Sequence, residues 1–277
     1  MNFKLIDTHC HLNFKDYRDD SLEVLNKARD NSVATIVVGA EYKSSKRAIE
    51  FAETNGEGVY ATIGLYPIHL QMIEVEGENG EYHFVSRGEV YNNVTYKKLA
   101  ESKKVVAIGE IGLDYYHLDK EKNIDEQKKL QANIFIKQLD LAVELNLPVI
   151  IHCREAHEDN LPILEKYKGK LKGVIHCYSG DLELAKRYNE IGFLISFTGL
   201  ITFVKQWDEV IKEIPLKWIM TETDSPYMAP TPFRGQRNEP TNVIEVAKKI
   251  AELKGVSVDE VCEVTLGNAR ELFKLDI

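Results

Sequence analysis

KVVAIGEIGLD (residues 104–114), IDEQKKLQANIFIKQLDLAVEL (124–145) and LPVIIHCR (147–154) follow one another along the chain, and their order decides the fold. The first and third are rich in Val and Ile, too short for helices, and apolar without alternation, as strands buried on both faces are. The second spaces its apolar residues three and four apart, which predicts an amphipathic helix over 124–145. The same alternation runs outward in both directions. Apolar runs recur at LI (5–6), ATIVVGA (34–40), GVYATIGL (58–65), LKGVIHCYSG (171–180), GFLISFTG (192–199) and KWIMTETDSP (217–226), with helical stretches between them. A chain of 277 residues suits one large barrel or two ordinary domains. Eight strand–helix alternations favour a TIM (β/α)8 barrel over a doubly wound sheet, with residues 1–277 as one domain. Only 71–98 (QMIEVEGENGEYHFVSRGEVYNNVTYKK) breaks the rhythm, reading as an inserted loop or hairpin after the third strand. It is either a solvated excursion or a lid over the barrel mouth.

The residues that end these runs share one chemistry. The first run ends in His9 and His11, the fourth in Glu110, the fifth in His152, the sixth in His176 and the eighth in Asp224. In a barrel the C-terminal ends of all strands gather at one face, where active sites of this architecture lie. Four imidazoles and two carboxylates suit borderline or hard divalent cations. Glu110 has two oxygens and can bridge two such ions; Asp224 can bind one and take a proton from the attacking water. Cys10, Cys153 and Cys177 each sit one residue from a histidine. Strand alternation sends them to the opposite face, away from the site.

The four cysteines form no CxxC pair, and the N-terminus has no basic-then-apolar leader. They read as reduced thiols of a cytoplasmic protein. No run approaches the roughly 18 apolar residues of a membrane span. The formal net charge of −9 argues against gripping duplex DNA through a broad basic face. A nucleic-acid substrate would need local positive charge, which bound cations can supply.

The chain resembles the TatD family of metal-dependent deoxyribonucleases, within the wider amidohydrolase-like barrels. The matching stretches are DTHCHL (7–12), AIGEIGLDYY (107–116), EQKKLQANIFIKQLDLAVELNLPVIIHCREA (126–156), GVIHCYSG (173–180), TETDSPYMAP (221–230) and RNEP (237–240). By that resemblance His9, His11, Glu110, His152, His176 and Asp224 are metal ligands, with two divalent cations (Mg, Mn or Zn) per site. It also implies hydrolysis of DNA phosphodiesters, as a 3′-to-5′ exonuclease on single-stranded or end-frayed DNA. The expected working unit is a monomer with no membrane partner.

Where the family often has Gly-x-His-Pro-His, this chain has GLYPIH (64–69): Tyr66 and Ile68 replace the histidines, and His69 is displaced by one. His69 can substitute, Tyr66 can contact a phosphate, or the loop is structural. Arg154 can grip a phosphate or pair with Glu155 or Asp159. Arg237, held by Glu239, is a phosphate-binding candidate in the loop after the last strand. Tyr178 is a candidate for stacking on a base, or for packing at the rim. GNAR (267–270) reads as part of a C-terminal amphipathic helix. Two alternatives stay open: a small-molecule amidohydrolase or lactonase on the same barrel, and a non-catalytic nucleic-acid-binding relative.

Overall fold

Each apolar run becomes a strand of a single parallel sheet in the computed structural model, which describes residues 2–76 and 83–277. The eight strands are β1 (Leu5–Cys10), β2 (Val33–Val38), β3 (Val59–Ile63), β6 (Val105–Asp114), β7 (Val149–Arg154), β8 (Gly173–Ile175), β9 (Phe193–Phe197) and β10 (Ile219–Thr221), neighbours in that order. The seam between β10 and β1 is closed by backbone bonds just beyond the strands: Asp224 N–H donates to the His9 carbonyl and His11 N–H to the Ser225 carbonyl, both at 2.8 Å. Below them Asp7, buried in β1, accepts the Thr223 N–H and hydroxyl at 2.8 and 2.6 Å. The result is a TIM barrel.

The 71–98 segment proves composite. An antiparallel hairpin of β4 (Met72–Glu76) and β5 (His83–Arg87) fills its first part, and its turn lies outside the described residues. Its last part is helix: α3 (Asn93–Leu99), capped by the Asn92 side chain, is the crossover helix between β3 and β6. The insertion therefore ends before residue 93. With Tyr96 its one buried residue, this short helix carries no apolar stripe that the sequence would show.

The outer layer also includes α1 (Ser21–Asp30), α2 (Tyr42–Asn55), α4 (Ile124–Leu145), α5 (His157–Glu165), α6 (Leu182–Glu190), α7 (Asp208–Glu213), α8 (Val243–Lys254) and α9 (Val258–Phe273). The expected helix over 124–145 is α4. Asn123 caps its start by accepting from Asp125 N–H and Glu126 N–H, and Asn146 ends it in the left-handed conformation. Among the described residues no helix is long and apolar enough to cross a membrane.

The barrel makes two cores. Ile6, Ile36, Val106, Ile150, Val174, Leu194 and Met220 fill the lumen, closed by Leu266, Leu272 and Phe273 of α9. A larger shell lies between strands and helices and includes Cys10, Ile108, Phe135 and Cys153. Simple alternation does not produce this sorting. Leu5 and Cys10 both face the shell although five residues apart, because β1 carries a register irregularity between Asp7 and Cys10. β6 carries another between Ile108 and Ile111. Each extra residue reverses which face the strand presents beyond it.

Where β6 runs beside β7, Gly112 (φ +145°) is paired with His152, and a Cβ built on it would lie 2.0 Å from the His152 carbonyl oxygen. Gly112→Ala is therefore expected to push the two strands apart and cost about 1–3 kcal/mol, a fall in Tm of roughly 3–10 °C. Gly267→Ala in α9, where nothing lies within 4 Å, should leave Tm unchanged or raise it. Thermal melts followed by circular dichroism of both variants check this.

Candidate metal centre

His9 lies within β1 and Glu110 within β6; His152 lies within β7. His11, His176 and Asp224 stand just past the ends of β1, β8 and β10. The fold brings all six together. His9 Nε2 is 3.3 Å from His11 Nε2 and 3.6 Å from Asp224 Oδ1, and His11 Nε2 is 3.4 Å from that same oxygen. On the other side, Glu110 Oε1 is 2.8 Å from His152 Nδ1 and 3.1 Å from His176 Nε2. Glu110's second oxygen, Oε2, is 3.5 Å from His9 Nε2. One carboxylate thus presents an oxygen to each half of the cluster.

The donor atoms fit a cation. Two ligands sharing an ion at bonds of about 2.1 Å stand roughly 3.0–3.4 Å apart, close to the spacing among His9, His11 and Asp224. His11 Nδ1 is 3.1 Å from the Val38 carbonyl, which takes its proton and leaves the Nε2 lone pair aimed inward. Among the described residues, three groups have ligand atoms within 4.8 Å of one another: His9–His11–Asp224, Glu110–His152–His176 and His9–His176–Glu222. None includes a thiol.

Charges in the cluster are mutually compensated. Burial works to raise the Glu110 pKa, but the charge of His176 and hydrogen bonds from His152, His176 and His9 outweigh it and hold the carboxyl well below its usual range. Asp224 is held low in the same way, burial being overcome by His11 and His9. His176 shows the converse: burial opposes its charge, and Glu110 and Glu222 raise its pKa well above the ordinary histidine value. Burial and the neighbouring His176 lower the His9 pKa from the ordinary histidine value.

Comparison with known proteins agrees with this geometry. The family described as TatD related DNase matches residues 6–274. The chain is 40% identical to the uncharacterized metal-dependent hydrolase YabD of Bacillus subtilis, over 98% of this chain and 100% of that one. It is 36% identical to the uncharacterized metal-dependent hydrolase YcfH of Escherichia coli, over 98% and 96%. The crystal structure of YjjV, a TatD homologue from Escherichia coli, superimposes with a TM-score of 0.84 at 31% identity, covering 99% of this chain and 100% of that one. The chain belongs to the TatD family.

Behind the six lie two carboxylates of this TatD-family chain that sequence reasoning passed over. Fully buried Asp114 places Oδ2 3.2 Å from His152 Nε2. Glu222, also buried, places Oε1 3.2 Å from His176 Nδ1 and accepts the Cys177 N–H and the Ser196 hydroxyl, both at 2.7 Å. A signal existed. Asp114 is four residues from Glu110, and Glu222 two from Asp224, even spacings that favour a shared face.

The substrate-contact candidates fare less evenly. Tyr178 is only 2% exposed, donates its hydroxyl to the Asp181 carbonyl at 2.6 Å, and packs among Tyr188 and Phe197. Its ring is enclosed in the shell between strands and helices, with no face open to a base. Arg237 is held by Asp20 rather than Glu239, through two bonds of 3.0 and 2.5 Å, with its guanidinium over the Tyr17 ring. Glu239 pairs instead with Lys27. Arg154 lies 3.7 Å over the Tyr116 ring at the mouth. Tyr66 donates to Asp114 at 2.8 Å, and His69, whose pKa burial lowers to about 4, sits 3.3 Å from the Ser86 hydroxyl on β5.

Cys10 and Cys153 lie in the shell, on the face away from the histidines beside them. Cys177 does not join them: it follows the end of β8 at φ +43°, and its sulfur packs against Thr198 and Met228. Replacing Glu110 by Gln should weaken divalent-cation binding by more than the roughly 10–100-fold typical of losing an outer partner. Cys10→Ala should leave bound metal unchanged and cost packing alone. Elemental analysis and titration calorimetry on the two variants test the assignment.

Proposed function

We propose that the protein is a metal-dependent hydrolase that cleaves DNA phosphodiester bonds from the 3′ end of single strands, using two divalent cations, Mg, Mn or Zn. The observation that carries this reading is the split of Glu110, whose two oxygens face two separate groups of imidazoles. His9, His11 and Asp224 would hold one cation and His152 with His176 the other, Glu110 being shared. Bound there, the cations lower the pKa of a water and neutralise charge that develops on the phosphoryl oxygens.

The chain's own groups supply the remainder. Asp224, kept ionised by His11 and His9, accepts the proton of the attacking water. Arg154, stacked on Tyr116 beside the site, presents a cation to the phosphate that follows. Support for DNA as substrate comes from the family description, and support for hydrolysis from relatives named metal-dependent hydrolases. With a net charge of −9 and Arg237 tied to Asp20, few phosphates are neutralised, so binding should weaken with salt on a shallow slope.

Single strands labelled at the 5′ end, incubated with the protein and Mg, Mn or Zn, should shorten into a ladder, and chelator should abolish the reaction. A closed circular strand should resist. Rapid cutting of the circle would rule out the requirement for an end. Intact DNA alongside turnover of amides or lactones would transfer the site to small-molecule hydrolysis.

A further inference from the structure

We propose that Asp114 is a positioning residue for His152, and that Tyr66 and His117 act on the site by holding Asp114; the inference rests on the metal-centre reading above and deepens it. The His152 ring lies between two carboxylates, with Nδ1 2.8 Å from Glu110 Oε1 and Nε2 3.2 Å from Asp114 Oδ2. A neutral imidazole carries its proton on one nitrogen and a lone pair on the other. An ionised Asp114 can only accept, so it draws the proton to Nε2. Nδ1, on the Glu110 side, is left as the ligand atom.

Asp114 is itself fixed from several directions. Its Oδ2 accepts the Tyr66 hydroxyl and the His117 Nδ1–H, each at 2.8 Å, and Oδ1 accepts the His117 backbone N–H at 2.9 Å. Its own N–H donates to Gln131 Oε1 and its carbonyl accepts from Gln131 Nε2, both at 2.8 Å. Tyr66 is anchored by the same device one step away. Leu65 N–H donates to Gln138 Oε1 at 2.8 Å, and the Leu65 carbonyl accepts from Gln138 Nε2 at 3.0 Å. Gln131 and Gln138 are seven residues apart on α4, two turns of one helix face. One buried stripe of amides therefore sets both ends of the Tyr66–Asp114 bond.

That bond also decides what Tyr66 does. A phenol has a single proton, and this one is given to Asp114, so it is not offered to a substrate; the oxygen stands 3.4 Å from His152 Nε2, beside the same Asp114–His152 contact. Its ring stands edge-on to the His152 imidazole, centroids 4.6 Å apart at 88°, and limits how that ring can turn. The role is positional on both counts.

Zinc titration calorimetry on metal-stripped wild type, Asp114→Asn, Tyr66→Phe and the double variant tests this, with folding checked by circular dichroism. Asp114→Asn should weaken one binding step by about 10–100-fold, and Tyr66→Phe by several-fold. The double variant should bind no worse than Asp114→Asn alone, because Tyr66 acts through Asp114. Nitrogen-15 spectra of histidine-labelled, zinc-loaded wild type add a reading that needs no variant: His152 should be protonated on Nε2 and metallated on Nδ1. Metal on Nε2, wild-type affinity in Asp114→Asn, or an equal Tyr66→Phe penalty in both backgrounds would overturn the proposal. His11→Ala, outside this network, separates the two layers. Zinc binding lost in His11→Ala but kept in Asp114→Asn leaves the metal centre standing and removes the positioning role, whereas a wild type that binds no divalent cation removes both.

Discussion

An ionised carboxylate buried at the mouth of the barrel is the constraint on which the site depends. Glu110 is 6% exposed, and a charge in that position costs several kcal/mol unless opposite charge and hydrogen bonds surround it. His9, His152 and His176 are arranged around it from three different strands, and Asp224, Glu222 and Asp114 in turn face those imidazoles. Carboxylates and imidazoles alternate outward from the centre. Each is tolerable only while its neighbours are in place, so the cluster is a single unit rather than six independent ligands.

The scaffold is shaped to hold that unit. The barrel closes where β10, three residues long, meets β1, and the bonds that close it come from the backbones of His9, His11 and Asp224. Closing the barrel and assembling half of the cluster are therefore the same event. The other half is steadied by α4, whose face toward the strands carries Gln127, Gln131 and Gln138 beside Phe135 and Leu139. Buried amides cost free energy unless bonded. Here they clasp the backbones of Leu65, Asp114 and Asp119, satisfying loop groups that would otherwise be orphaned next to the site.

Several cations at the surface are spent on the protein itself. Arg237 joins the loop after β1 to the loop after β10 through Asp16 and Asp20, and Lys27 joins α1 to Glu239. Arg154 lies against the Tyr116 ring beside the mouth. Such a distribution suits a substrate held at one place more than one gripped along a length of backbone.

The barrel was legible because its evidence is local and repeated: eight Val- and Ile-rich runs, with amphipathic stretches such as 124–145 between them. The six candidate ligands were legible because each lies in or just past the C-terminal half of a run, and topology alone carries those halves to one face. Faces were less secure. Cys10 lies in the shell only because an irregularity in β1 reverses the pleat after Asp7, which no spacing in LIDTHC reveals. The roles of Asp114, Glu222, Tyr178 and Arg237 were decided by partners 38, 46, 3 and 217 residues away. A side chain's type states what it can donate or accept. Which group stands opposite it is set when the chain packs, and so Tyr66, open to several readings in the sequence, is committed to Asp114, 48 residues away, in the fold.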